Sequence, residues 1–443
     1  MKLTYDVKDK PKFGQLIVFA FQQLLAILAA TIAVPSIVGN GMSQSAALFG
    51  AGVGTIVYLL FTKFKSPVFL GSSFAFLGSM FAAFGGALST AAGYAGILIG
   101  AIFAGLVYVV IAIVVKIAGV NWINKLMPPV VIGPTVAIIG LSLAGNAVGD
   151  ALTFAKTDAG FVMGTKGWVG FICALVTLFT VMICSVYGKK MAKLIPFVIG
   201  ILAGYAVGTV FTLIGMKTGN ENLMIIDWSA FQHMQWVPDF TFITALKGVK
   251  EVDASYIAMI AVAYVPVAFV VFAEHIADHK NLSSIIEQDL LEEPGLHRTL
   301  LGDGVGSMVG AIFGGCPNTT YGESVGCVAI TGNASVITIL ATAIMAIVAS
   351  FVAPFVTFLA TIPACVMGGV CITLYGFIAV SGLKMIQAVN LDDNSNLFVV
   401  SVILIAGIGG MAITIGKVTL TEVACALILG IITNIILSKK KKA

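Results

Sequence analysis

The chain has 443 residues, of which 59% are hydrophobic and only 10% are charged, and its formal net charge is +4. Because about 25% of the residues of a soluble domain are charged, this composition excludes a soluble protein and predicts an all-α polytopic membrane protein. The lysines fall in short loops and at the C-terminal end, so the basic balance does not indicate a nucleic-acid partner. The seven cysteines show no metal-type spacing, and we expect neither disulfides nor a bound metal.

Apolar runs follow one another along almost the whole chain. A helix needs roughly 20 apolar residues to cross a bilayer. Twelve candidate runs start near residues 13, 45, 90, 128, 167, 192, 254, 299, 335, 362, 396 and 418. Two further apolar segments, 67–86 and 317–331, are too interrupted to be ordinary spans. Counting both predicts fourteen transmembrane segments.

The distribution of the lysines predicts how these segments are oriented in the membrane. With fourteen crossings, most lysines, including the C-terminal run 439–442, fall in loops on the same side as the N-terminus. Cytoplasmic loops are rich in Lys and Arg. We therefore expect a multi-pass protein of the cell inner (plasma) membrane with both termini in the cytoplasm. The longest outer loops, 146–166 and 217–252, are expected to be caps rather than domains.

The two interrupted segments are the third in each set of seven. Each begins with a proline, Pro67 or Pro317, passes through a short extended patch rich in hydroxyls, and resumes an apolar helical pattern. Because seven is odd, the second set enters from the opposite side, which predicts an inverted repeat of seven plus seven segments. The alternative is a pair of ordinary helices kinked at proline.

Breaks of this kind expose backbone groups. Non-helical backbone cannot face lipid, so each break must be buried or line a wet cavity. We expect one half-helix to start near Ser73 and another near Tyr321, with free N–H groups and positive dipole ends pointing to the centre. The hydroxyl side chains expected to cap these two helices are Ser72, Ser73, Thr319 and Thr320.

Five acids lie in or at the edge of the predicted spans: Glu274, Asp278, Asp303, Glu323 and Glu422. An ionisable group inside a span is costly and is by default a functional hypothesis. Glu274 and Asp278 are four residues apart and share one helix face. Burial and the dipole of the predicted half-helix act on the protonation of Glu323 in opposite directions, which makes it a candidate for proton exchange.

Each acid also has a plainer interpretation. Asp278 lies nearer the cytoplasmic end, where a solvated helix-end acid is an equal alternative. Asp303 is equally well explained as a packing acid bonded to neighbouring backbone. For His275 and His279 we favour a structural or interfacial role over a proton relay.

The predicted centre suits a neutral solute better than an anion, because the one arginine, Arg298, lies in a loop. A pyrimidine or oxopurine fits, since its N–H groups donate to carboxylates and its carbonyls accept from the half-helix ends. Aromatic faces are available from Phe74, Tyr321 and Tyr375. The spans contain no nucleophile–base pair, metal spacing or phosphate loop, so we do not expect an enzyme. The residues alone thus predict a carrier of a small polar solute, with a nucleobase preferred.

Six stretches resemble one known family: LGSSFAF (70–76), AEH (273–275), EPGLHRTLLGDG (293–304), PNTTYGES (317–324), AIT (329–331) and VMGGV…LYG (366–376). They are similar to motifs of the nucleobase–cation symporter 2 family, also called nucleobase–ascorbate transporters or uracil/xanthine permeases. The likeness is greatest to bacterial uracil permeases and covers essentially the whole chain.

This resemblance implies a fold. The third and tenth of fourteen segments would each pair a short strand with a half-helix in the inverted repeat. Segments 1–4 and 8–11 would form a core domain from residues 13–118 and 253–353. Segments 5–7 and 12–14 would form a gate domain from residues 119–216 and 354–438, with 217–252 as an extracellular loop. A homodimer joined through the gate domains is a further expectation.

The resemblance also implies a site. Two acids would contact the base, two half-helix residues would supply backbone donors, and two tyrosines would line the pocket. The residues so expected are Glu274 and Glu323, Phe74 and Gly322, and Tyr321 and Tyr375, with Ser73 beside them. Transport would be proton symport driven by the proton gradient, with no cofactor.

The chain departs from the uracil permeases at some positions. Asp278 stands where they usually carry His, and Asp278 and Asp303 resemble the xanthine transporters, whereas Glu323 is typical of uracil permeases. Gln23 replaces another usual His. We therefore assign proton coupling to Glu323 or Asp278, and keep Asp303, Gln23 and Thr320 as secondary candidates. The leading interpretation is a proton-coupled uracil importer. The alternatives are a xanthine or oxopurine permease and, from another class, an anion transporter on the same architecture.

Overall fold

The computed structural model describes residues 3–119, 122, 128–157, 160–189, 191–415 and 418–438. The described chain is mostly helical. Its first half contains α1 (Phe13–Val38), α2 (Gln44–Phe61), β1 (Leu70–Ser72), a 3-10 turn (Phe74–Phe76), α3 (Leu77–Gly85), α4 (Thr90–Ala118), α5 (Pro129–Ser142), α6 (Ala144–Ala151), β2 (Lys156–Thr157), β3 (Gly160–Phe161), α7 (Thr165–Tyr187), α8 (Met191–Leu194) and α9 (Pro196–Thr218).

The second half begins after a loop with short 3-10 turns. It contains α10 (Thr241–Gly248), α11 (Ala254–Ile286), α12 (Leu296–Gly314), β4 (Asn318–Thr320), α13 (Gly322–Thr331), α14 (Val336–Ser350), α15 (Ala353–Ala360), α16 (Ala364–Gln387), α17 (Asn394–Ile408), β5 (Ile413–Ile415), β6 (Val418–Leu420) and α18 (Glu422–Ser438).

Many of these helices are built to cross a membrane. Within the described residues, eight helices are long and apolar enough, counting α5 with α6. The number rises to nine if α14 and α15, bent by 80° at their junction, form one broken span. The chain is therefore a multi-pass membrane protein, and the layout of seven plus seven segments stays a prediction.

The two interrupted segments each form a strand followed by a helix, as the sequence predicted. β1 pairs antiparallel with β4, and Gly71 lies opposite Thr319. The pairing continues at both ends, because Ser73 N–H donates to Pro317 O at 2.9 Å and Tyr321 N–H donates to Phe69 O at 3.2 Å. Each break thus satisfies the other's backbone groups in the interior, and the alternative of two kinked continuous helices is wrong.

The predicted hydroxyl caps are not formed. Ser73 and Tyr321 occupy the N-cap positions, but neither side chain bonds to the helix that follows. The hydroxyls of Ser73 and Thr319 are buried without a hydrogen-bond partner among the described residues. The hydroxyl of Thr320 donates to Asp278 instead. The strand pairing holds these residues in extended geometry, which directs their side chains away from the helix ends.

Small residues bring the helices around the strand pair into close contact. α2 packs along α12 and α14, and α4 packs along α11 and α12. At the α2–α12 crossing, a Cβ added to Gly54 or to Gly306 would lie 2.7 Å from the other residue's carbonyl oxygen. Elsewhere α5 packs along α16, and α7 along α9. The division into core and gate domains stays a prediction.

Candidate functional site

A cavity of about 470 Å³ lies where the two broken segments meet. α11 forms another wall, and α1, α5, α9 and α16 contribute further lining residues. The site residues expected from the sequence that line this cavity are Ser73, Phe74, Glu274, Asp278, Thr320, Tyr321, Gly322 and Glu323. Residues about 250 positions apart in the chain therefore share one chamber.

Two helix starts border the cavity. α13 begins at Gly322, and its first intrahelical bond is from Val325 N–H to Tyr321 O at 3.2 Å. The N–H groups of Gly322 and Glu323 precede that bond and have no acceptor within the helix. The 3-10 turn leading into α3 begins at Phe74 on the other broken segment. Both helices therefore present the positive ends of their dipoles to this region.

Three carboxylates line the cavity. Glu274 and Asp278 are one helical turn apart on α11, and Glu323 lies in the first turn of α13. Thr320 Oγ1 donates to Asp278 Oδ2 at 2.8 Å, which ties α11 to the end of β4. All three acids are half-buried. Asp278 thus faces the cavity, and the alternative of a solvated helix-end acid does not describe its position.

Three hydroxyl groups in the cavity wall lack partners. They belong to Ser72, Ser73 and Thr319, which are 0%, 1% and 3% exposed, and none of them makes a hydrogen bond to another described residue. All three residues line the cavity. Buried polar groups are almost always hydrogen-bonded, so these hydroxyls are available to a polar solute or to water. From its position in the sequence, Thr319 was expected to act only as a cap.

The aromatic residues divide between the cavity and the layer behind it. Tyr321 lines the cavity, and its hydroxyl donates to Ser72 O at 2.9 Å. Tyr375, on α16, is 2% exposed and is not a lining residue. Its ring packs edge-on against Phe74 with the ring centroids 5.9 Å apart. Tyr375 therefore supports an aromatic wall and does not itself border the cavity.

Two secondary candidates lie outside the cavity. Asp303 is buried on α12, where its Oδ2 lies 2.7 Å from Nδ1 of His275, so its partner is a side chain and not the neighbouring backbone. Gln23, on α1, donates from Nε2 to Ser324 Oγ at 2.5 Å. Ser324 Oγ also accepts from Phe69 N–H at 3.1 Å. Gln23 thus supports the start of α13 from behind.

Sequence reasoning missed the opposite wall. Val136 and Ile139 of α5, Phe197 of α9 and Leu374 of α16 complete the lining. Lys193, in the short helix α8, is the only Lys or Arg among the lining residues in the described part of the chain. An apolar residue in one span looks like any other, so no local signal marked this wall. Among the described residues, no group of three His, Cys, Asp or Glu side chains is placed to hold a metal ion.

Comparison with known proteins assigns the chain to a family. The model of the xanthine–uracil permease family, described as "Permease family", matches residues 14–416. The chain belongs to this family. The family's members named below are permeases, so the chain is a membrane transporter and not an enzyme.

Curated relatives align over nearly their full length. The chain is 40% identical to the uracil permease of Bacillus caldolyticus, covering 100% of this chain and 96% of the relative. It is 37% identical to the uracil permease of Bacillus subtilis (strain 168), covering 100% and 97%. It is 34% identical to the uracil permease of Escherichia coli (strain K12), covering 96% and 92%.

Solved structures share the fold at low sequence identity. The transmembrane domain of the cyanobacterial bicarbonate transporter BicA superposes with a TM-score of 0.65 at 16% identity, covering 98% of this chain and 100% of that one. The structure of SLC26A9 gives 0.66 at 11% identity, covering 97% and 66%. These likenesses concern architecture alone, because both identities are low.

Proposed function

We propose that this permease is a proton-coupled secondary transporter that imports uracil by alternating access. The observation that carries the proposal is the convergence of two half-helix starts with Glu274, Asp278 and Glu323 around one cavity. The naming of full-length relatives as uracil permeases supports the choice of base.

The cavity offers both kinds of group that a pyrimidine dione requires. Uracil carries two N–H groups, which donate hydrogen bonds to carboxylate oxygens of Glu274 and Glu323. Its two carbonyl oxygens accept from backbone N–H groups at Phe74 and Gly322. The ring lies against the aromatic side chain of Phe74. Such a site holds a planar neutral molecule without a cationic side chain in contact with it.

The proton is carried by a carboxylate of the same chamber. A carboxyl group that gains a proton from outside and loses it inside links base transport to the proton gradient. Glu323 lies at a helix start beside the base, and Asp278 is held by Thr320. We assign the coupling to these two acids. Glu323 is in direct contact with the base, and Asp278 lies further from the base.

The architecture completes the proposal. Fourteen segments in a seven-plus-seven inverted repeat would place residues 13–118 and 253–353 in a core domain that moves against a gate domain. The protein would act as a homodimer in the cell inner membrane with both termini cytoplasmic. The pairing of β1 with β4 supports the repeat, because the third segment of each half meets its counterpart there.

Two other substrate classes are alternatives to uracil. Asp278 favours an oxopurine such as xanthine, since an Asp at this position resembles xanthine transporters. An anion is disfavoured because three carboxylates line the cavity, although one solved structure of similar fold is titled a bicarbonate transporter.

Competition in membrane vesicles distinguishes these substrates. Uptake of labelled uracil is measured under an imposed pH gradient with unlabelled uracil, xanthine, hypoxanthine or bicarbonate in excess. We expect uracil alone to compete fully and a proton ionophore to abolish accumulation. Stronger competition by xanthine would reassign the substrate, and accumulation that ignores the ionophore would contradict proton coupling.

A further inference from the structure

α11 carries a second pair of titratable side chains that the proposed mechanism does not use. His275 and His279 each follow a cavity acid by one residue, which places them about 100° further around the helix. Both are 0% exposed. Their rings stack with the centroids 4.0 Å apart. The helix therefore presents acids to the cavity and histidines to the protein interior.

His279 connects α11 to α2. Its Nδ1 lies 2.8 Å from the carbonyl oxygen of His275. A carbonyl oxygen can only accept, so Nδ1 carries a proton. Tyr58 Oη lies 2.7 Å from Nε2 of the same ring and 2.7 Å from Ser66 Oγ. The ring is thus fixed to α2 and to the chain leading into β1.

His275 connects α11 to α12. Its Nδ1 lies 2.7 Å from Asp303 Oδ2, and its Nε2 lies 3.0 Å from Thr299 Oγ1. Thr299 Oγ1 donates its only proton to Leu296 O at 3.0 Å, so it accepts from the Nε2–H of His275. Both edges of the imidazole are therefore bonded to α12.

These bonds resist one specific movement. A rotation of α11 about its axis would move Glu274 and Asp278 along the cavity wall, and it would break the bonds of both histidines at the same time. Apolar contacts alone do not define the rotation of a helix as sharply, because they are not directional. The two histidines bond to different neighbours, α2 and α12, and so hold the helix from two directions.

We propose that His275 and His279 are positioning residues that set the rotation of α11 and thereby aim Glu274 and Asp278 into the cavity. The proposal rests on the proposed role of these acids in binding the base. Asp303 and Tyr58 act in the same way, through the histidines and without touching the solute.

Two tyrosines on this network form a matched pair for the test. Tyr58 Oη bonds to His279, whereas Tyr108 Oη is buried without a partner among the described residues. The ring of Tyr108 also packs on the network, edge-on to His275 with the centroids 6.2 Å apart. Tyr58→Phe and Tyr108→Phe each remove one buried hydroxyl beside the histidines, but only the first removes hydrogen bonds, one to His279 and one to Ser66.

The first readout is the affinity of the purified protein for labelled uracil. We expect Tyr58→Phe to weaken binding about three- to tenfold, the range for losing the one hydrogen bond that joins Tyr58 to α11. Tyr108→Phe should leave the affinity unchanged. A lower melting temperature of Tyr58→Phe with unchanged affinity would show a packing contact only and would overturn the proposal.

The second readout needs no substrate. Ala277 lines the cavity on α11 between the two acids. In a background with Cys327→Ser, because Cys327 also lines the cavity, the rate at which a water-soluble maleimide labels Ala277→Cys reports the rotation of α11. We expect Tyr58→Phe, and not Tyr108→Phe, to change this rate severalfold. An unchanged rate overturns the positioning role whatever the affinity.

Two further outcomes are decided by the same design. If the wild-type protein binds no uracil, the proposed function fails, while the labelling rates still decide the positioning role. If Tyr58→Phe does not fold, Ser66→Ala removes the outer bond of the chain and takes its place. Ser66→Ala should then change the labelling rate in the same sense, and an unchanged rate would overturn the proposal.

Discussion

The two broken segments each reach the cavity as a strand followed by a helix start, but they carry different side chains. The first, from β1 into the 3-10 turn at Phe74, brings an aromatic ring and no charge. The second, from β4 into α13, brings the hydroxyl of Thr320, the bare backbone of Gly322 and the carboxylate of Glu323. Each contributes one strand to the same antiparallel pair.

This difference separates the groups that the backbone supplies from the groups that the side chains supply. Paired strands and free helix starts come from the backbone, so both segments supply hydrogen-bond donors in much the same way. Among the described lining residues, carboxylate acceptors come from the second segment and from α11. A near-symmetric frame thus holds an asymmetric site, in which one segment contributes an aromatic surface and the other the ionisable group.

The largest expected effect comes from neutralising the charged segment. Glu323→Gln keeps the shape of the side chain but removes the titratable group beside the base. We expect proton-driven accumulation of uracil to fall to background, measured as labelled uptake into vesicles under a pH gradient. Accumulation at the wild-type level in this variant would remove Glu323 from the coupling site.

The acid contributed by α11 is tested by binding. Glu274→Ala removes a charged acceptor, an interaction worth about 1.5–3 kcal/mol, so we expect uracil affinity to fall about 10- to 100-fold. Isothermal titration of the purified protein measures this loss. Glu251→Ala is a control, because Glu251 lies in the loop before α11 and is not a lining residue of this cavity. Equal affinities of Glu274→Ala and the wild type would contradict the site.

A pair of glycine substitutions separates the scaffold from the site. A Cβ at Gly71 would collide with the ring of Tyr321, whereas a Cβ at Gly322 would meet only Asp278 Oδ1 at 3.8 Å. We expect Gly71→Ala to cost about 1–3 kcal/mol of stability through overpacking. Gly322→Ala should instead keep the melting temperature and weaken uracil binding severalfold. Thermal melting and binding on the same preparations measure both, and a reversed pattern would refute this division.

The smallest expected effect is a displaced pH profile. Asp278→His exchanges a carboxyl group for an imidazole, whose ordinary pKa is about 6.5. If this position takes part in the proton step, the pH of half-maximal uptake should move toward that value while uptake persists. Asp278→Asn, which cannot titrate, serves as the comparison. A profile identical to that of the wild type would make Asp278 a bystander in coupling.

Local pattern predicted correctly where two helices break and which two acids share a helix face. Pro67 and Pro317, with the hydroxyl residues after them, mark where helix gives way to strand, because proline and hydroxyl side chains disfavour a continuous helix. The spacing of Glu274 and Asp278 places both on one face of α11, as observed. The prediction that Ser73 and Thr319 are caps was wrong, because strand pairing and not the following helix sets the directions of their side chains.

Other assignments depended on neighbours far along the chain. Asp303 bonds to His275 because α12 packs beside α11, and Gln23 reaches Ser324 because α1 passes behind α13. Tyr375 stands behind Phe74 and not in the cavity wall. No periodicity in one segment reports which face of a distant helix will meet it.

The sequence by itself determined that this is a membrane protein. It also determined the positions at which the helices break and the acids that lie within the spans. Hydropathy and proline act locally, and a bilayer penalises unpaired backbone and buried charge so strongly that these features have few explanations. Only the tertiary structure decided that the two breaks pair with each other and that three carboxylates share one chamber. Those contacts join residues hundreds of positions apart, and the packing of whole helices selects them.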